Sequence, residues 1–133
     1  MMDYEKITRY VTEPRLLGEI ENADGRGAVG DPSCGDRIEI FIKVEDDHIT
    51  DIRYQVKGCW GSLASAGQLC DLVVGKSIDD ALYLDEDDIV NALGGLPDEK
   101  RHCTRLALGA LHYAIRNFLL HHSGEDAENV LDQ

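Results

Sequence analysis

Two stretches of strict alternation stand out in the middle of the chain. Ile38, Ile40, Ile42 and Val44 alternate with Arg37, Glu39, Phe41 and Lys43, and Ile52, Tyr54 and Val56 alternate with Arg53, Gln55 and Lys57. A period of two predicts strands with one apolar and one charged face. The short polar segment 45–48 between them predicts an antiparallel hairpin. Residues 18–30 are glycine-rich, with a weak strand signal around 26–29. The spacing then lengthens to three and four. Leu63, Ala66, Cys70 and Val73 form one stripe and predict a helix over 63–74, closed by Gly75. Ser77 and Asp85 each read as an N-cap followed by acids, which predicts short helices over 77–84 and 85–93. The longest pattern runs Leu106, Ala107, Ala110, Leu111, Ala114, Ile115, Phe118 and Leu119, a helix from about 102 to 121. Residues 4–11 can form a further short helix, with Ile7 and Val11 on one face, stopped at Glu13-Pro14.

A sheet with a single apolar face calls for helices on that side only. The predicted fold is therefore α+β: about three antiparallel strands with helices packed on one face. A chain of 133 residues suffices for one domain, over 1–121, followed by a polar tail over 122–133.

Charge narrows the functions. Lys plus Arg is 13 and Asp plus Glu is 26, a formal net charge of −13. Such a chain is repelled by phosphate backbones and anionic lipid, which argues against nucleic-acid and membrane roles. It favours partners with basic patches. The start, Met-Met-Asp-Tyr-Glu-Lys, lacks a basic and apolar leader, and no apolar run approaches membrane-spanning length. A cytoplasmic location follows as the expectation, and there thiols stay reduced. Cys34, Cys59, Cys70 and Cys103 then read as core, metal-binding or reactive cysteines rather than disulfides.

Cys70 lies on the apolar stripe of a helix and reads as core. The other three sit at breaks: Cys34 before the hairpin, Cys59 after it, and Cys103 at the start of the last helix. If the helices pack on one face of the sheet, these breaks can converge at one end of the domain. No Cys-x-x-Cys pair joins them, so a zinc knuckle or ferredoxin loop is not indicated. Asp36 and His102 each lie within two residues of a candidate cysteine and could supply a fourth ligand. Taken alone, Asp36 also reads as a turn residue bonded to its own backbone, and His102 as a residue of a helix start facing water. The unpaired N–H groups at the start of the last helix predict a lowered pKa for Cys103. Lys100 and Arg101 beside it, and Lys57 near Cys59, point the same way.

The segments Asp31-Pro32-Ser33-Cys34-Gly35-Asp36, Gly58-Cys59-Trp60-Gly61-Ser62-Leu63-Ala64-Ser65 and Leu96-Pro97-Asp98-Glu99-Lys100-Arg101-His102-Cys103 resemble the three cysteine motifs of the IscU/NifU-type iron–sulfur cluster assembly scaffolds. Glu13-Pro14-Arg15 with Gly18, and Gly75-Lys76-Ser77, resemble other segments of that family, so the likeness runs from about Tyr4 to Ile115. The resemblance implies a scaffold rather than an enzyme. On it a [2Fe–2S] cluster would be built with sulfur from a cysteine desulfurase and iron from an iron donor, then passed to apo-proteins. It implies Cys34, Cys59 and Cys103 as ligands, with Asp36 or His102 as the fourth. A harder carboxylate or a neutral imidazole in place of a fourth thiolate loosens the hold on a cluster. The alternative is a zinc-dependent sulfur carrier using the same ligands, and zinc can also fill the isolated protein's site. The zinc-containing branch carries an insertion between its second and third cysteines, which this chain lacks. Two departures from the family stand out. Asp98-Glu99 replaces Pro-Val in the Leu-Pro-Pro-Val-Lys loop, which weighs against recognition by an Hsp70-type chaperone. Trp60 replaces a small residue, where it could shield the cluster, dock a partner or pack on the helix.

Overall fold

The computed structural model describes residues 2–31, 33 and 35–122. Strands β1 (Gly25–Asp31), β2 (Asp36–Glu45) and β3 (His48–Lys57) form one antiparallel sheet in the order β1-β2-β3. The weak glycine-rich segment is thus a full edge strand. The β2–β3 turn is two residues, Asp46 and Asp47, both at positive φ, and Asp is one of the residue types that tolerates this conformation. A register shift at Lys43/Val44 sets Val44 against Ile49 and Lys43 against Asp51. This bulge lets Ile49 and Ile52, three residues apart, both point into the core.

The helices among the described residues lie as the alternation requires. Along β2, Ile38, Ile40 and Ile42 are fully buried beneath α2 (Trp60–Val73) and α5 (Arg101–His122). The helix α1 (Tyr4–Thr12) packs on α2 through Ile7, and α3 (Ile78–Leu82) and α4 (Glu86–Ala92) complete the layer. Both short helices are capped as their sequences indicate: Ser77 accepts from the Asp80 N–H, and Asp85 and Asp88 form a reciprocal capping box. They are shorter than the predicted 77–84 and 85–93, because a cap residue lies outside its helix and the last turns are not helical. Cys70 is fully buried among the core side chains, as its position on the stripe indicated.

The seat of α5 explains the glycines of β1. A Cβ on Gly25 would lie 2.2 Å from the Ala114 carbonyl oxygen, and one on Gly27 would lie 2.4 Å from the Ala114 nitrogen. The backbone of α5 therefore rests directly on the edge strand.

Among the described residues, the other face of the sheet carries no helix. Arg26, Arg37, Lys43, Arg53 and Lys57 stand on it against Glu39 and Asp51. A chain of net charge −13 thus keeps one basic face. Phe41 belongs to this face by alternation, yet it is only 2% exposed. Arg26 lies across its ring at 5.1 Å from the centroid, and Arg53 stands directly opposite it in register. Arg26 and Arg37 both pair with the buried carboxylate of Glu39. No helix among the described residues is long and apolar enough to cross a membrane. The expected tail lies outside the described residues from position 123 on.

Candidate metal centre

Three chain breaks meet at one end of the sheet: the start of β2, the turn from β3 into α2, and the start of α5. They carry Asp36, Cys59 and Cys103, whose ligand atoms all lie within 4.8 Å of one another. The two sulfurs are 3.9 Å apart, and Asp36 Oδ2 is 3.7 Å from Cys59 Sγ and 3.9 Å from Cys103 Sγ. A tetrahedral ion with metal–sulfur bonds of about 2.3 Å sets its ligand sulfurs roughly 3.8 Å apart. The donor set and its spacing therefore fit a thiophilic metal with little rearrangement.

His102 stands beside this trio. Its Nε2 is 3.3 Å from Asp36 Oδ2 and 3.7 Å from Cys103 Sγ. Its Nδ1 lies 3.1 Å from the Glu99 carbonyl oxygen, which can only accept, so Nδ1 carries the proton. That leaves Nε2 as the atom turned toward the ligands, the arrangement in which a backbone carbonyl orients a metal-binding imidazole. Asp36 is neither a simple turn residue nor solvated: it is buried, and its Oδ1 accepts from the Cys59 backbone N–H at 3.2 Å. Asp36, Cys59, His102 and Cys103 are thus brought together. Cys34, the remaining predicted ligand, lies outside the described residues.

Local backbone geometry makes room for this grouping. Gly58 has φ +147°, and a Cβ there would fall 2.1 Å from Asp36 Oδ1. A Cβ on Gly61 would crowd Cys103 Sγ at 3.1 Å and the Lys100 chain at 3.0 Å. On the near side, Gly35 adopts φ +77° just before Asp36. The helix α2 begins three residues earlier than the apolar stripe indicated. Its N-cap is Cys59, whose side chain makes no cap hydrogen bond, so no ordinary capping residue marks the start.

The two cysteines differ in a way that corrects the sequence expectation. Burial pushes the Cys103 thiol up to about 12; the Ser62 hydroxyl at 3.6 Å opposes this, while the neighbouring Cys59 and Asp36 add to it. Cys103 lies within the first turn of α5 but is fully buried, and desolvation outweighs the helix start. Cys59 is half-buried. Burial raises its thiol too, but the backbone N–H groups of Ser62 and Gly61 and the Lys100 ammonium outweigh it, so the net shift is downward. The helix-start effect therefore acts on Cys59, through α2. Lys100 serves Cys59 rather than its neighbour in sequence, and Arg101 is turned away to Asp87 at 2.7 Å. Lys57 lies across from Arg37 on the open face of the sheet. In the metal-free protein, iodoacetamide is expected to modify Cys59 well before Cys103, with the Cys59 reaction rising at the lower pH. Peptide mass spectrometry over a pH series reads this directly; equal rates at the two thiols would contradict it.

Ser62 is the residue that sequence reading passed over. It is fully buried and donates to Cys103 Sγ. The available signal was its place three residues after Cys59, one helical turn on. Trp60 packs between α1 and the site: it lines an apolar groove with Met2, Tyr4, Ile7 and Val11, and Lys100 Nζ sits 5.5 Å from its ring centroid.

A small α+β domain with a cysteine, carboxylate and imidazole cluster at one end of its sheet is the class these features define. The family described as NifU-like N terminal domain matches residues 2–124, and this chain belongs to it. The iron-sulfur cluster assembly scaffold protein IscU 1 of Archaeoglobus fulgidus is 43% identical over 114 residues, covering 86% of this chain and 74% of that one. The scaffold protein IscU of Aquifex aeolicus is 41% identical over 131 residues, covering 96% of this chain and 83% of that one. Among solved structures, the putative iron-sulfur cluster assembly scaffold for the SUF system from Fervidobacterium islandicum superposes with a TM-score of 0.69 at 26% identity. That match covers 84% of this chain and 94% of that one.

Proposed function

We propose that this chain is a scaffold, not an enzyme, on which a [2Fe–2S] cluster is assembled and then handed to apo-proteins. The observation that carries the reading is the convergence of Asp36, Cys59 and Cys103 from three separate breaks in the chain. The cluster is cargo. Cys59, Cys103 and the sequence-predicted Cys34 supply thiolates to it, and Asp36 or His102 supplies the fourth donor. The mixed set is what a transferable cargo requires, because an oxygen or nitrogen ligand is displaced by an incoming thiolate more readily than a fourth cysteine would be. Cys59 is only half-buried, so the site reaches the surface at the start of α2.

Sulfur would arrive from a cysteine desulfurase as a persulfide. A scaffold thiolate attacks its outer sulfur, a new S–S bond forms as the old one breaks, and the donor leaves as a thiolate. Reducing that sulfur to sulfide takes two electrons from an external reductant. An iron donor and apo acceptor proteins complete the partners. The acids Asp98 and Glu99 in the Leu96–Lys100 loop weigh against a dedicated Hsp70-type chaperone among them. Anaerobic reconstitution with iron, cysteine and a desulfurase is expected to produce the visible spectrum of a [2Fe–2S] centre. An unchanged spectrum in each of Cys34→Ser, Cys59→Ser and Cys103→Ser would sink the proposal.

One observation favours a second reading, a zinc-dependent sulfur carrier: the spacing of the sulfurs suits a single tetrahedral ion. Zinc without iron or sulfide in protein purified and reconstituted anaerobically would decide for it.

A further inference from the structure

A persulfide brings sulfur in a more oxidised state than the sulfide a cluster contains, so electrons must be found before the cluster can form. Two cysteines of the centre are placed to supply them. The sulfurs of Cys59 and Cys103 lie 3.9 Å apart, a few tenths of an ångström beyond the roughly 3–3.5 Å of a near-attack contact. A modest side-chain adjustment brings them within reach of a disulfide bond.

The two thiols differ in access. Cys59 is half-buried at the start of α2, whereas Cys103 is fully buried. A sulfur donor can therefore reach Cys59 and not Cys103, while Cys103 can reach what Cys59 carries. The groups around the pair suit a displacement. The Ser62 hydroxyl donates to Cys103 Sγ at 3.6 Å and steadies negative charge as it forms there. His102 Nε2, whose partner nitrogen holds the ring proton against the Glu99 carbonyl, is 3.7 Å from the same sulfur. Beside Cys59, the Lys100 ammonium donates to the sulfur and lies 5.5 Å from the Trp60 ring centroid. A cation thus stands next to the atom from which an anion would depart.

We propose that Cys59 and Cys103 act as a resolving pair that releases sulfide from a persulfide carried on Cys59. Cys103 Sγ attacks Cys59 Sγ. The bond between the two cysteines forms as the bond to the outer sulfur breaks, and the outer sulfur leaves with the electron pair. The Cys103 proton passes to His102 Nε2 and then to the leaving sulfur, which departs as HS⁻. The balance is a persulfide anion plus a thiol giving a disulfide plus HS⁻: the outer sulfur is reduced and the two cysteines are oxidised. The external reductant then acts on the disulfide and restores both ligands. This inference takes the origin of the persulfide from the scaffold reading, but the step itself needs only a persulfide on Cys59.

The test loads the reduced, metal-free full chain with glutathione persulfide, without oxygen or added reductant. About one sulfide per loaded chain is expected, together with a disulfide joining the peptides of Cys59 and Cys103 in mass spectrometry. Cys103→Ser should keep the outer sulfur on Cys59 and release little sulfide. Mapping the wild-type disulfide decides the question even if Cys103→Ser does not fold. A persulfide that persists on Cys59 in the wild type, an outer sulfur that moves to Cys103, or a disulfide that joins Cys34 instead would overturn the proposal. Sulfide release through the Cys59–Cys103 disulfide in a chain that builds no cluster would support it and count against the scaffold reading alone.

Discussion

Cys103→Ser is expected to lower zinc or cobalt(II) affinity on the order of a thousandfold, beyond the roughly 10–100-fold typical of outer-shell partners. The sulfur is fully buried, 3.9 Å from Cys59 Sγ, and faces both Asp36 and His102. A hydroxyl in its place is a harder and far less acidic donor with a shorter reach. Ser62→Ala supplies the contrast. It removes a hydrogen bond to the same sulfur without removing a ligand, so its effect should stay within the outer-shell range of about 10–100-fold. Competition against a chromophoric chelator measures both. Wild-type affinity in Cys103→Ser would mean that these residues are not the metal centre.

Gly27→Val is expected to have the largest effect on folding, more than ~3 kcal/mol in urea unfolding. The new Cβ would lie 2.4 Å from the Ala114 nitrogen and 2.6 Å from the Ala110 carbonyl oxygen, both backbone atoms of α5 that cannot turn aside. Gly30→Ala on the same strand meets nothing closer than 3.6 Å and should stay within about 0.5 kcal/mol. If Gly27→Val unfolds at the wild-type urea midpoint, α5 does not rest on β1 as described.

These two sites mark how far the sequence could be read. The alternation of Ile38, Ile40 and Ile42 identifies β2 because one sheet face is wholly apolar and the signal is local. β1 gave little signal, because what makes Gly25-Arg26-Gly27 a strand is the pressure of α5 from ninety residues away. Phe41 alternates onto the charged face, and only the register of Arg26 and Arg53 shows why it is nevertheless covered. At the candidate metal centre, Asp36, Cys59, His102 and Cys103 were legible as residues flanking chain breaks. Their acidities were not. The lowering assigned to Cys103 by its place at a helix start belongs to Cys59, since depth of burial is invisible in a linear motif. Ser62 escaped notice because serine inside a helix carries no mark of the sulfur it touches.

The glycine seat of α5 also distinguishes the two walls of the pocket. A 22-residue helix, about 33 Å long, is seated on the edge strand through the backbone of Ala110 and Ala114. His102 and Cys103 therefore form the wall carried by β1. The facing wall is set by the turns at Gly35 and Gly58, whose positive φ angles immediately precede Asp36 and Cys59. The pocket's contents therefore sit between one wall anchored on β1 and another whose close fit depends on Gly58 having no Cβ.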